Sequence, residues 1–145
     1  MSFDELREIR LQKLKNLADA GIDAYPAKAE YAISEISEVK KNFKAEIKTK
    51  KGTAIAGRIV GKREHGGSVF LDLFDGTDKL QVFIARDKIG EESFKLFSDN
   101  IDVGDFIAVH GKAFYTKRKE ATIEAKKWQV LAKSLRSLPE KWHGL

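Results

Sequence analysis

The side chains best suited to chemistry lie within residues 68–84, where two alternating runs flank the polar turn Asp75-Gly76-Thr77-Asp78. Val69, Leu71 and Leu73, and then Leu80, Val82 and Ile84, share one face of a pleated strand; Phe70, Asp72, Gln81 and Phe83 share the other. Rings and an amide are thereby left on the side away from the core. An exposed ring on a sheet stacks on an unstacked base for ~1 to 3 kcal/mol. A glutamine amide, donor and acceptor together, suits a base edge. The chemistry would be noncovalent: holding and reading single-stranded nucleic acid. Ordinary roles stay open for both residues, Phe70 as the cap of a cluster under the N-terminal helix and Gln81 as a solvated strand residue.

A basic rim accompanies the platform. Arg58 and Lys62 occupy alternate positions leaving the preceding strand, and Lys62, Arg63 and His65 lead into the turn Gly66-Gly67. A second cluster, Lys117, Arg118 and Lys119, ends in Glu120. A carboxylate beside phosphates is repelled unless it accepts hydrogen bonds from a base. Otherwise Glu120 simply balances its three basic neighbours.

The chain is poor in catalytic groups. It has no cysteine, so thiolate nucleophiles, disulfides and cysteine zinc sites are excluded. His65, His110 and His143 lack metal-ligand spacing, and no phosphate-binding loop or nucleophile elbow occurs. Neither an active site nor a cofactor is expected in this chain.

The elements that must position these residues follow from periodicity. Ser2 with Glu5 fits a capping box, and Gly21 followed by Pro26 fits a helix stop, around a stripe of Leu6, Ile9, Leu14, Leu17 and Ala18. A short helix is expected around Ile33, Ile36, Val39 and Phe43, with a lysine run of Lys40, Lys41, Lys44, Lys48, Lys50 and Lys51. The ordinary role of that run is a solvated surface. After Gly52 the period becomes two: a strand through Ile55, Gly57 and Ile59, then the two strands described above. A helix over 91–99 with Phe94 and Phe97 inward precedes strands over 105–116 and 120–131.

Three strands, a helix and two strands within about eighty residues is the order of the five-stranded Greek-key barrel, the OB-fold. The fold is expected to be mainly β, preceded by an N-terminal helical extension. The divisions are 1–51 for the extension, 52–132 for the barrel and 133–145 for a linker. Ligands of this barrel use the face of strands two and three and the loops joining strands one to two and four to five, which is where the platform and the basic rim fall.

Bulk properties agree. A length of 145 residues suits one core, and 42% hydrophobic residues exclude general disorder. The formal charge of +5 is compatible with nucleic acid. No signal peptide or membrane-spanning run is visible, so the expected location is cytoplasmic.

The terminal Leu138-Pro139-Glu140-Lys141-Trp142-His143-Gly144-Leu145 closely resembles the segment joining the anticodon-binding and catalytic domains of bacterial lysyl-tRNA synthetases. Ala132 to Arg136 resembles the same connector, and Leu17 to Pro26 the family's helix exit. Ala56-Gly57-Arg58, Lys62-Arg63, Phe70 to Asp75, Leu80-Gln81-Val82 and Phe114 to Glu120 keep the family's order and spacing, so the resemblance covers essentially the whole chain.

It implies an anticodon-binding domain for lysine-accepting tRNA. The middle base would stack on Phe70 and pair with Gln81, Glu120 would contact another anticodon base, and Arg58, Lys62 and Arg63 would surround the loop. ATP and magnesium would belong to a class II catalytic domain lying beyond Leu145, and the parent would be a homodimer. Two positions depart from the family pattern, each where a turn glycine is usual: Lys119 before Glu120, and Asp78, for which Gly76 offers the backbone freedom. An aspartyl or asparaginyl relative shares the Phe-to-Gln spacing, and a general single-strand binder or a helix-docking interaction protein stands as a rival of another class.

Overall fold

A computed structural model of the chain describes residues 2–22 and 32–135. The segments around Tyr25-Pro26 and from Arg136 to Leu145, which carry part of the family resemblance, lie outside the described residues.

Helix α1 (Phe3–Asp19) begins where the capping box places it: the Glu5 N–H donates to Ser2 Oγ at 3.1 Å. It ends in a Schellman turn, with Gly21 at φ 83°, the Gly21 N–H bonded to Ala18 O and the Ile22 N–H to Leu17 O. The expected stripe divides. Leu17 is fully buried and Leu14 packs on the core, but Ile9 remains exposed.

Helices α2 (Ile36–Lys41) and α3 (Phe43–Lys48) replace the single expected helix, and bury Ile36, Val39 and Phe43 in the common core while Ile33 stays exposed. The start of α2 is capped from elsewhere: Asp75 Oδ2 accepts from the Ile36 N–H at 2.8 Å, and Thr77 Oγ1 from the Ser37 N–H at 3.1 Å. Partial burial pushes the Asp75 carboxyl up, but its bonds from Ile36, Thr77 and Asp78 outweigh that and hold it below its ordinary value. Gly76 takes φ 92°, so the freedom that Asp78 cannot offer is supplied two residues earlier.

The strands are β1 (Thr53–His65), β2 (Ser68–Phe74), β3 (Lys79–Ala85), β4 (Phe106–Tyr115) and β5 (Ala121–Ala132). They close in the order β1-β2-β3-β5-β4, with β3 and β5 parallel and the other neighbours antiparallel. This is the five-stranded barrel expected from the element order. Closure demands close approach at Gly111, where a Cβ would stand 1.9 Å from the Glu124 carbonyl oxygen, beside the irregular register at His110/Gly111.

The inward residues are those that alternation assigns: Val69, Leu71, Leu73, Leu80, Val82 and Ile84 are all buried. Between β3 and β4 lie α4 (Arg86–Ile89), which periodicity does not reveal, and α5 (Glu91–Asn100), separated by Gly90 at φ 95°. Helix α5 closes the barrel with Phe94 and Phe97; burying a phenylalanine such as Phe97 contributes about 1.5 to 3 kcal/mol.

The residues just after β5 are tied into the domain. The Lys133 side chain is fully buried, with Nζ 2.6 Å from Asp105 Oδ2 and 2.7 Å from Asp102 Oδ2. Asp102 also receives Lys13 of α1 at 2.6 Å, and Asp105 Oδ1 accepts the Ser134 N–H at 2.7 Å. Burial raises the Asp102 carboxyl, yet the bonds from Lys13 and Lys133 bring it below its ordinary value; at the deeper Asp105 burial prevails and the shift is upward.

Candidate nucleic-acid interface

The two strands and the β4–β5 turn enclose an open groove of about 570 Å³, lined by Arg63, His65, Phe70, Gln81, Thr116, Lys117, Arg118 and Glu120. Cross-strand register assembles it: Arg63 stands opposite Phe70, Phe70 opposite Phe83, and Asp72 opposite Gln81. A row of rings crosses four strands. His65 and Phe70 have centroids 6.0 Å apart, Phe70 and Phe83 4.9 Å, and Phe83 and Phe114 6.4 Å. Phe83 is not part of the groove lining; it backs Phe70 from the next strand.

Gln81 is wired on both sides. Arg63 Nη2 donates to Gln81 Oε1 at 3.1 Å, and Gln81 Nε2 donates to Thr122 Oγ1 at 3.0 Å, whose hydroxyl in turn donates to the Glu120 carbonyl at 3.1 Å. Arginine only donates, so the amide oxygen must face Arg63 and the amide orientation is fixed. One N–H and one carbonyl lone pair are left over from these bonds. That is the donor–acceptor pair an unstacked base edge requires.

Arg63 is itself held by Asp72, Nη1 to Oδ2 at 2.9 Å. This hydrogen bond, with the negative charges of Asp72 and Glu120, outweighs desolvation and raises the guanidinium pKa. The Glu120 carboxylate is exposed and has no hydrogen-bond partner among the described residues, so its acceptors are available.

The turn presenting Glu120 is closed by Thr116: its N–H donates to Glu120 O at 3.0 Å, its carbonyl accepts from the Lys119 N–H at 2.8 Å, and its hydroxyl accepts from the Glu120 N–H at 3.1 Å. Lys119 adopts φ 63°, the one positive φ among the described non-glycine residues. The lysine holds the left-handed conformation usually left to glycine and bears the strain, roughly 1 kcal/mol. Lys119→Gly is expected to raise the unfolding free energy by up to about 0.5 kcal/mol and the urea midpoint with it, the strain relief slightly exceeding the entropy glycine adds to the unfolded chain. A lower midpoint would show that no strain is stored there.

Two of the basic residues go elsewhere. Lys62, Arg63 and His65 belong to β1 rather than to a loop, and the register slips between Ile59 and Gly61. This bulge inserts one residue and inverts the alternation beyond it, so Arg58 and Lys62, an even number apart, face opposite sides. Lys62 Nζ donates to Ser98 O at 3.0 Å and Ile101 O at 2.7 Å, at the end of α5, with Glu64 at 3.3 Å. It is not on the groove. Arg58 lies 5.1 Å from the Phe106 ring and lines a separate cavity with Phe74. Sequence reasoning missed Thr116 and Thr122, whose only signal is a hydroxyl within an otherwise apolar or basic strand end.

Among the described residues no cluster of three histidines or carboxylates could hold a metal ion. No described helix is long and apolar enough to cross a membrane.

Residues 53–131 match the model of the OB-fold nucleic acid binding domain. The chain belongs to that family. It is 40% identical over 143 residues, 99% of its length, to the lysine–tRNA ligase of Carboxydothermus hydrogenoformans. The same enzyme of Aquifex aeolicus is 40% identical over 136 residues, 94% of the chain, and that of Thermotoga maritima 37% over 144, 97% of the chain. This OB-fold chain spans 28%, 22% and 29% of the length of these three relatives.

Proposed function

We propose that this chain is the anticodon-binding part of a lysine–tRNA ligase, selecting lysine tRNA through its U-rich anticodon. The observation that carries the reading is the groove in which the Phe70 ring, the orientation-locked Gln81 amide and the free carboxylate of Glu120 converge. Phe70 supplies stacking, Gln81 and Glu120 read base edges, and Arg63, His65, Lys117 and Arg118 supply positive charge and donors toward the RNA. The relatives' names support the choice of tRNA.

In the parent, a class II catalytic half would activate lysine with ATP and magnesium and pass it to the tRNA, in a homodimer. Residues 133–145 would serve as the linker toward that half, and this chain's residues would contribute binding and orientation of the tRNA. The test is a competition titration between a lysine anticodon stem-loop and the same stem-loop carrying another anticodon. The lysine sequence is expected to bind tighter by about tenfold or more, the worth of one well-made base contact at ~1 to 3 kcal/mol. Equal affinities would reduce the domain to a general single-strand binder, and preference for an aspartate or asparagine anticodon would reassign it.

A further inference from the structure

A second concavity, about 530 Å³, lies away from the groove at the start of β1 and the middle of β4 and β5. Six lysines line it: Lys48 at the end of α3, Lys50 and Lys51 from the α3–β1 connection, Lys112 from β4, and Lys126 and Lys127 from β5. No acidic residue is part of the lining. Among the described residues only Lys126 of the six is ion-paired, with Glu124 at 2.8 Å. The turn carrying Lys51 is fixed by its carbonyl, which lies 2.9 Å from His110 Nε2.

Three separate stretches of chain thus bring six lysines to the rim of one recess, where salt screens charges only beyond about 8 to 10 Å. Such like charges repel unless a polyanion joins them, and a concave wall focuses their field. The recess also neighbours the row of rings that backs the groove. Lys112 lies two residues from Phe114 on the same strand, about 7 Å along it and on the same side, and Phe114 ends the row of rings that starts at His65.

We propose that this lysine cradle is a second RNA-contact surface, which takes backbone phosphates of the nucleotides flanking those held in the groove. It reads no sequence; it positions the RNA and adds affinity through released counterions. The ligand class rests on the nucleic-acid reading above, but the cradle and the base reader fail in different measurements.

The test uses the 145-residue chain and a labelled lysine anticodon stem-loop, with affinity measured over a range of salt concentrations. Lys50→Gln/Lys112→Gln/Lys127→Gln is expected to weaken binding by about tenfold or more at low salt. It should also flatten the slope of log affinity against log salt by about two to three, at roughly 0.7 to 0.9 for each phosphate no longer neutralised. The preference for the lysine anticodon over a swapped one should be unchanged. A control of equal charge change, Lys15→Gln/Lys88→Gln/Lys95→Gln, removes lysines outside the recess. An unchanged slope in the cradle variant, or an equal loss in the control, would overturn the proposal. Loss of anticodon preference with the slope effect intact would instead count against the base reader alone.

Discussion

Replacement of Lys133 by methionine is expected to lower the unfolding free energy by about 3 to 5 kcal/mol, the cost of leaving buried charge without its partner. Among the described residues its ammonium is the one positive group bonded to Asp105, and it shares Asp102 with Lys13. Methionine fills the space but offers no donor. Asp105, fully buried, would then be left without a cation, while Asp102 would keep only Lys13. Against a typical domain stability of about 5 to 15 kcal/mol this is a large fraction, and urea unfolding followed by circular dichroism would register it directly. Lys133→Met/Asp105→Asn should recover part of the loss, because asparagine is neutral and still accepts a backbone N–H. A single variant within about 1 kcal/mol of the parent chain would show that the carboxylates are solvated and the cluster is not what ties the chain end to the barrel.

Removal of the ring at position 70 is the corresponding experiment on function. Phe70→Ala should weaken binding of a U-rich anticodon stem-loop by ~1 to 3 kcal/mol, about five- to 150-fold, the usual contribution of one stacked base. The ring also packs against Phe83 and His65, so part of the effect of alanine is weaker support for its neighbours. Phe70→Trp separates the contributions: it keeps a π face and should retain most of the affinity. Fluorescence anisotropy gives both affinities, and the melting curves verify that both variants are folded. Full affinity in a folded alanine variant would remove Phe70 from the binding surface.

Much of this arrangement is legible in the sequence where strands are regular. Strict alternation from Val69 to Ile84 puts Phe70, Gln81 and Phe83 outside and their neighbours inside, and the structure keeps that division. Alternation fails at β1 because a bulge leaves no mark in residue types: Val60 and Gly61 read as ordinary strand, yet the inserted residue sends Lys62 under α5 and Arg63 to the groove. The bonds among Arg63, Gln81 and Thr122 depend on register between strands distant in sequence, which periodicity does not fix. Lys133 is invisible for another reason. A lysine after the last strand looks solvated, and only the two aspartates brought near it by the fold make its burial tolerable.

The double anchoring of Gln81 has a kinetic consequence. Immobilising a long polar side chain on binding costs about 0.5 to 1.5 kcal/mol, but here Arg63, Gln81 and Thr122 are already ordered in the RNA-free domain. An encounter with RNA therefore needs no search among side-chain conformers at its centre. Arrival should be governed by charge and diffusion, fast and sensitive to salt, while the lifetime of the complex is set by the stacked ring and the amide contact. Discrimination between anticodons would then appear in dissociation: wrong RNAs arrive as quickly as the right one and leave sooner.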